Sequence, residues 1–274
     1  MCSMTGKTAT GCLLLAIAVM MTALPAQADE EALHIVILTG EDPANYAAHQ
    51  TMPRFAQWLE RREGFKTTVL IGEGELEAHH LPNLEVIKEA DLVVIFFRRR
   101  AFKTEQMDLI KNYLKEGNPL VGIRTANHAF SVHEHPERGL PEGYESWWEF
   151  VPEILGCENR GYGPVEPGTA VAPAPGKESH PILKGAEPLE WHSQGNAYLV
   201  APLLDEEAEI LLYGTVEDKV EPVAWTRWTE DGSPVFYTSL GHPADFAEPQ
   251  FRELLVNGIR WALNEAKQAA EAED

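Results

Sequence analysis

Three short runs constrain this chain more than anything else in it. Leu33–Leu38, Leu92–Phe97 and Pro119–Ile123 are apolar at nearly every position, without the alternation of a strand that is wet on one side. A strand that is apolar on both faces must be covered on both faces. The segments between these runs supply the cover. Met52, Phe55, Ala56 and Leu59 recur at helical spacing, with Pro53 suited to a first turn. Thr104 is expected to cap a second helix carrying Met107, Ile110 and Leu114, with Gly117 stopping it. Together with a β-branched run at Thr67–Ile71, this alternation predicts an α/β fold: a doubly wound, mainly parallel sheet with helices on both faces.

The second half is less regular and richer in β-strand signals. Tyr144–Leu155 reads as helix. Thr169–Ala172, Ala197–Val200, Glu209–Tyr213, Val223–Trp228 and Val235–Ser239 read as strands, with a turn at Asp231–Gly232 joining the last two. Phe251, Leu254, Leu255, Gly258 and Ala262 line one face of a closing helix.

The N-terminus reads as a secretory leader. Lys7 precedes an apolar stretch from Cys12 to Leu24, and Pro25-Ala26-Gln27-Ala28 places small residues where a signal peptidase reads. The expectation is a signal peptide over 1–28, one domain over 29–266 and a frayed acidic tail over 267–274, in a periplasmic or secreted protein that has no membrane contact after cleavage. Cleavage would leave Cys157 as the single cysteine, so no internal disulfide is available. With 22 basic and 43 acidic residues, a net charge of −21 argues against a nucleic-acid partner. A homo-oligomer stays open.

In open parallel sheets, ligands bind beyond the carboxyl ends of the strands. Four segments qualify: Gly40-Glu41-Asp42, Arg98-Arg99-Arg100, the turn Gly122–His128, and Gly241–Asp245. Arg124, Asn127, Arg98, Arg99, Glu41, Asp42 and His192 are the candidate substrate-binding residues. Guanidiniums suit carboxylates, phosphates and sugar oxygens, although the three arginines can equally pair with Glu41 and Asp42 to close the rim. His128 and His242 are the candidate catalytic acid and base. His128, His133 and His135 could together hold a divalent metal such as zinc, but their spacing matches no strong signature, and no metal ligand is assigned. Trp147-Trp148 offers either a stacking surface for a sugar ring or a core residue. His180 and His34 are left out of the site.

Val121–Phe130, Glu221–Trp225 and Val235–Pro243 resemble the ThuA-like (trehalose utilisation) family of the class I glutamine amidotransferase-like superfamily. The resemblance runs from Leu33 to about Leu263. It implies a flavodoxin-like sheet and a link to sugar metabolism. True amidotransferases carry Gly-x-Cys at the strand-to-helix turn and a distant His-Pro-Glu. Here Gly122-Ile123-Arg124 and His242-Pro243-Ala244 stand at those places. A guanidinium is no nucleophile, so glutamine hydrolysis by that route is excluded, and Cys157 lies off the turn. Relatives with a histidine-rich segment after the middle helix differ as well, because Cys157–Pro164 contains no histidine. Two expectations remain. One is an enzyme that hydrolyses or isomerises a small carbohydrate, a sugar or oxidised sugar. The other is a non-catalytic carbohydrate-binding or accessory module.

Overall fold

In the computed structural model, the strand that begins the domain is fully buried. His34–Gly40 (β1) is buried at all seven positions and pairs in parallel with Lys66–Glu75 (β2) on one side and Leu92–Phe96 (β4) on the other. The structure describes residues 1–2, 32–132 and 139–273, and Ala32–Asp274 forms one compact unit. The expected leader at 1–28 lies almost wholly outside the described residues, as do His133 and His135. Among the described residues, no helix is long and apolar enough to cross a membrane.

The remaining strands are Ala78–His80 (β3), Phe102–Lys103 (β5), Leu120–Ile123 (β6), Tyr144–Glu145 (β7), Thr169–Pro173 (β8), Trp191–Ser193 (β9), Glu209–Val216 (β10), Lys219–Trp228 (β11) and Pro234–Thr238 (β12). All the described strands form one twelve-stranded sheet in the order β7-β5-β3-β2-β1-β4-β6-β12-β11-β10-β8-β9. The centre, from β2 to β12, is parallel. Antiparallel strands extend it on both sides. The sheet is therefore mixed, where the apolar runs alone pointed to a mainly parallel one.

Alternate residues of the buried strands feed two separate cores. Val36, Leu38, Val93 and Ile95 pack on one side with Met107, Ile110 and Leu114 of α2 (Thr104–Lys115) and with Phe130, Phe150 and Ile154. Ile35, Ile37, Val94 and Phe96 pack on the other with Met52, Phe55 and Leu59 of α1 (Ala48–Glu63) and with Phe251, Leu254 and Leu255 of α3 (Pro249–Glu273). Fully burying each such side chain contributes about 1.5–3 kcal/mol, which is why the strands carry no polar face.

Several local expectations change. Thr104 is the first residue of α2 rather than its cap, and Lys103 at the cap makes no side-chain bond. Gly117 does follow that helix in the left-handed conformation. Tyr144–Leu155 is not a continuous helix: it holds β7 and one wide helical turn at Phe150–Leu155. Pro152 has no amide hydrogen to donate into a longer helix. Ala197–Val200 makes only an isolated bridge, Tyr162 to Tyr198. The amides of Val200 and Ala201 go to the Glu221 carboxylate, at 2.8 and 2.7 Å, instead of to a strand ladder. Helix α3 runs to Glu273, through the acidic tail.

Candidate active site

Strand β6 stops at Ile123, and the next residue turns the chain. Arg124 has φ +45°, a left-handed conformation unusual for a residue with a Cβ, and opens a tight turn through His128. Its guanidinium is fully buried. Nη1 donates to the Ser239 carbonyl at 2.8 Å and Nη2 to Asn196 Oδ1 at 2.7 Å. The Tyr46 and Tyr198 rings lie 3.9 and 4.9 Å from its central carbon. Gly195 packs so closely that a Cβ there would lie 2.8 Å from Nη1. Arg124, expected to meet substrate, therefore spends most of its donors inside the protein; Nε alone is buried without a partner.

The three arginines after β4 separate in the same way. Arg98 and Arg100 both reach Asp42 Oδ2, at 3.3 and 3.1 Å. Burial works to raise the Asp42 carboxyl, but the Ala44 amide and the two guanidiniums outweigh it and hold the group below the ordinary carboxylate range. Arg100 also donates to the carbonyls of Arg98 and Glu41. This cluster ties the ends of β1 and β4 together. Arg99, at φ +47°, swings the other way, and its Nη1 donates to the Ser131 carbonyl at 3.4 Å. The Glu41 side chain is exposed.

Arg99 borders a cleft of about 440 Å³ with Asn127, His128, Trp148, Glu158, Asn159 and Tyr162 among its walls. The sequence candidates brought together here are Arg99, Asn127 and His128. His128 is 4 % exposed, and its Nδ1 lies 2.5 Å from Asn127 Oδ1. Asn159 Nδ2 stands 3.1 Å from the same Nδ1 and donates to the Tyr162 hydroxyl at 3.2 Å. His128 Nε2 has no hydrogen-bond partner among the described residues. Burial first, then Arg99, Arg98 and Arg124, push the imidazole pKa well below its ordinary value, so the ring is neutral at pH 7. A buried neutral imidazole with one nitrogen fixed and the other free is equipped to accept a proton. Asn127 Nδ2 is also buried without a partner.

His242 and His192 do not line this cleft. His242 Nδ1 accepts from the Ala244 amide at 3.2 Å, and the ring meets Tyr46 edge-on. Asp245 does not orient that ring; its carboxylate accepts from Ser193 Oγ and from the Gly241 and His242 amides, each at 2.9 Å. His192 is bonded to the Pro167 carbonyl on strand β9 at the sheet edge. Cys157 is fully buried, and burial pushes its thiol up to about 12, so it is no hidden nucleophile.

Residues that the sequence did not single out complete the site: Asn159, Tyr162, Tyr198 and Glu158. They lie in or against the histidine-free segment at Cys157–Pro164, whose polar residues are Glu158, Asn159, Arg160 and Tyr162. Of the tryptophan pair, Trp148 lines the cleft, while Trp147 packs on Phe130 and Phe150. Among the described residues, no group of three or more His, Cys, Asp or Glu could hold a metal ion. The zinc set considered from sequence includes His133 and His135, which lie outside the described residues.

A mixed sheet covered on both faces, with a cleft beyond the carboxyl ends of β4 and β6, defines an α/β protein whose candidate site lies where such sheets bind ligands. The chain belongs to the ThuA (trehalose utilisation) family, whose model matches residues 34–262. It is similar to a ThuA-like protein of Bacteroides uniformis at 18% identity, with a TM-score of 0.62, covering 88% of this chain and 95% of that one. A ThuA-like protein of Parabacteroides merdae is similar at 16% identity and a TM-score of 0.58, covering 85% and 90%. No curated protein matches the sequence.

Proposed function

We propose that this protein isomerises an oxidised sugar derivative, with His128 as the base that moves a proton between neighbouring carbons. The family is one of trehalose utilisation, which supports a carbohydrate role. The observation that carries the chemistry is the buried, neutral His128 ring, held at Nδ1 by Asn127 and free at Nε2 beside the cleft. Arg99 would face the charge that develops on the substrate oxygen, and Asn127 Nδ2 would donate to the same group. Trp148 and Tyr162 offer ring surfaces for a pyranose, and Asn159 a hydroxyl partner.

Isomerisation is favoured over glycoside hydrolysis by the carboxylates present. Glycosidases commonly use a facing pair. The described lining offers Glu158 alone, and that is ion-paired with Arg160 at 3.0 Å. We assign the proton to His128 without His242, and we take Arg124 as the group that holds the turn. The parallel centre, in the order β2-β1-β4-β6-β12, supports a doubly wound, flavodoxin-like scaffold of the amidotransferase type that has lost its nucleophile. We further propose export to the periplasm or medium, which N-terminal sequencing of the secreted protein tests by finding Asp29 first.

The functional test is a thermal-shift screen of keto-sugars, sugar acids and disaccharides, followed by product analysis of each stabilising compound. Isomerised product with the native protein and none with His128→Gln supports the reading. Stabilisation with the ligand recovered unchanged would instead establish the non-catalytic binding module.

A further inference from the structure

We propose a second ligand site, on the opposite face of the sheet, that binds a small molecule carrying a phosphate or carboxylate group. It is a cleft of about 410 Å³ between α1, α3 and the turn after β12, lined by Arg54, Trp58, Arg61, Phe246 and Arg252 among others. It shares no lining residue with the His128 cleft. Its size falls in the range of small-molecule sites.

The chain carries 43 acidic residues against 22 basic ones, yet three arginines and no acid line this cleft. Arg54, Trp58 and Arg61 follow one another at helical spacing, so one face of α1 presents both guanidiniums around an indole. Among the described residues, neither Arg54 nor Arg61 has an ion pair or a side-chain hydrogen bond. Two carboxylates on the same helices are held by other arginines: Glu253 and Glu63 by Arg62, and Glu63 also by Arg260. Unneutralised guanidiniums around a shared concavity are forks for an oxyanion.

Arg252 adds a third guanidinium to the wall. Its Nη1 donates to the Phe246 carbonyl at 2.6 Å, which fixes the guanidinium at the wall, while its Nε is buried with no partner. A buried donor left open costs about 1–3 kcal/mol unless something accepts from it. The floor is aromatic: Phe55 stacks on Trp58 at 5.7 Å and meets Phe246 edge-on at 5.9 Å. An anionic group between the arginines with a ring or apolar body on this floor satisfies both halves of the cleft.

Isothermal titration with glucose 6-phosphate, glucuronate and neutral glucose tests the proposal. The expected result is saturable binding of at least one of the two anions, none of glucose, and about tenfold or greater weakening in Arg54→Ala/Arg61→Ala, roughly 1.4 kcal/mol. Both arginines are exposed, so the double variant keeps its fold, and an unchanged melting temperature checks this. The binding that Arg54→Ala/Arg61→Ala weakens must persist in His128→Gln, which separates this site from the proposed reaction. If neither anion binds, or if the double variant binds as the native protein does, the proposal is overturned. The glucose 6-phosphate and glucuronate arms identify whether phosphate or carboxylate is preferred.

Discussion

His128 Nδ1 lies 2.5 Å from Asn127 Oδ1, a contact between neighbours in sequence that selects one tautomer of the ring. An imidazole nitrogen facing a carbonyl oxygen must carry the hydrogen, which leaves the lone pair on Nε2. Asn159, approaching the same nitrogen at 3.1 Å as a donor, favours the opposite tautomer from farther away. Asn127→Ala should therefore release the ring to Asn159 and lower turnover by about tenfold or more. Asn159→Ala should cost less, and steady-state rates of the two variants on the same substrate compare them.

The rate should not follow an ordinary histidine. Because burial and three arginines hold the His128 pKa well below 6.5, the acid limb of kcat/KM should fall well below that pH. A pH–rate profile reads it directly.

Stability should fall in the same acid range. His79 is 2 % exposed, and burial followed by the Arg100 charge depresses its pKa to about 4. The folded value lies below the unfolded one, so the unfolded chain binds the proton more readily. The contribution is complete above about 6.5 and is lost as the pH falls towards 4. At about 1.4 kcal/mol per pH unit, His79 alone loses about 3 kcal/mol. Asp245 works in the opposite direction, since burial raises its pKa and protonation relieves it. Urea melts at pH 7 and pH 4.5 check the net sign, with the lower pH weaker.

Arg124→Ala should destabilise by about 3 kcal/mol or more, because it strands the buried Ser239 carbonyl and the half-buried Asn196 acceptor and opens a space between Tyr46 and Tyr198. For a chain of this size the melting temperature should drop by roughly 6–12 °C. Arg124→Cys should show no glutaminase activity, because the Asp245 carboxylate is spent on Ser193 and backbone amides rather than on the His242 ring.

Gly258→Ala sets helix propensity against packing. Alanine gains about 1 kcal/mol in a helix interior. A Cβ here, however, would lie 2.2 Å from the ring of Phe236, which is fully buried on β12. Overpacking of this kind costs about 1–3 kcal/mol, so packing should win and the variant should unfold at lower denaturant.

The central strands and the three long helices were legible because burial on both faces and helical spacing both leave marks in composition. The break in Tyr144–Leu155 was marked only by Pro152, and the fate of Ala197–Val200 depended on Glu221, which is distant in sequence. The location of the site followed from strand ends. Its division of labour did not. Arg98, Arg99 and Arg100 are alike in sequence, and only the fold shows Asp42 taking two of them and the cleft the third. Asn159 and Tyr162 were hidden because a segment without histidine gives little chemical signal before the chain folds it against His128.

The most direct test of the central claim is nitrogen-15 NMR of the His128 ring between pH 8 and pH 5.5. The ring should stay neutral throughout, with hydrogen on Nδ1 and none on Nε2. A ring that protonates near pH 6.5, or one carrying its hydrogen on Nε2, would contradict it.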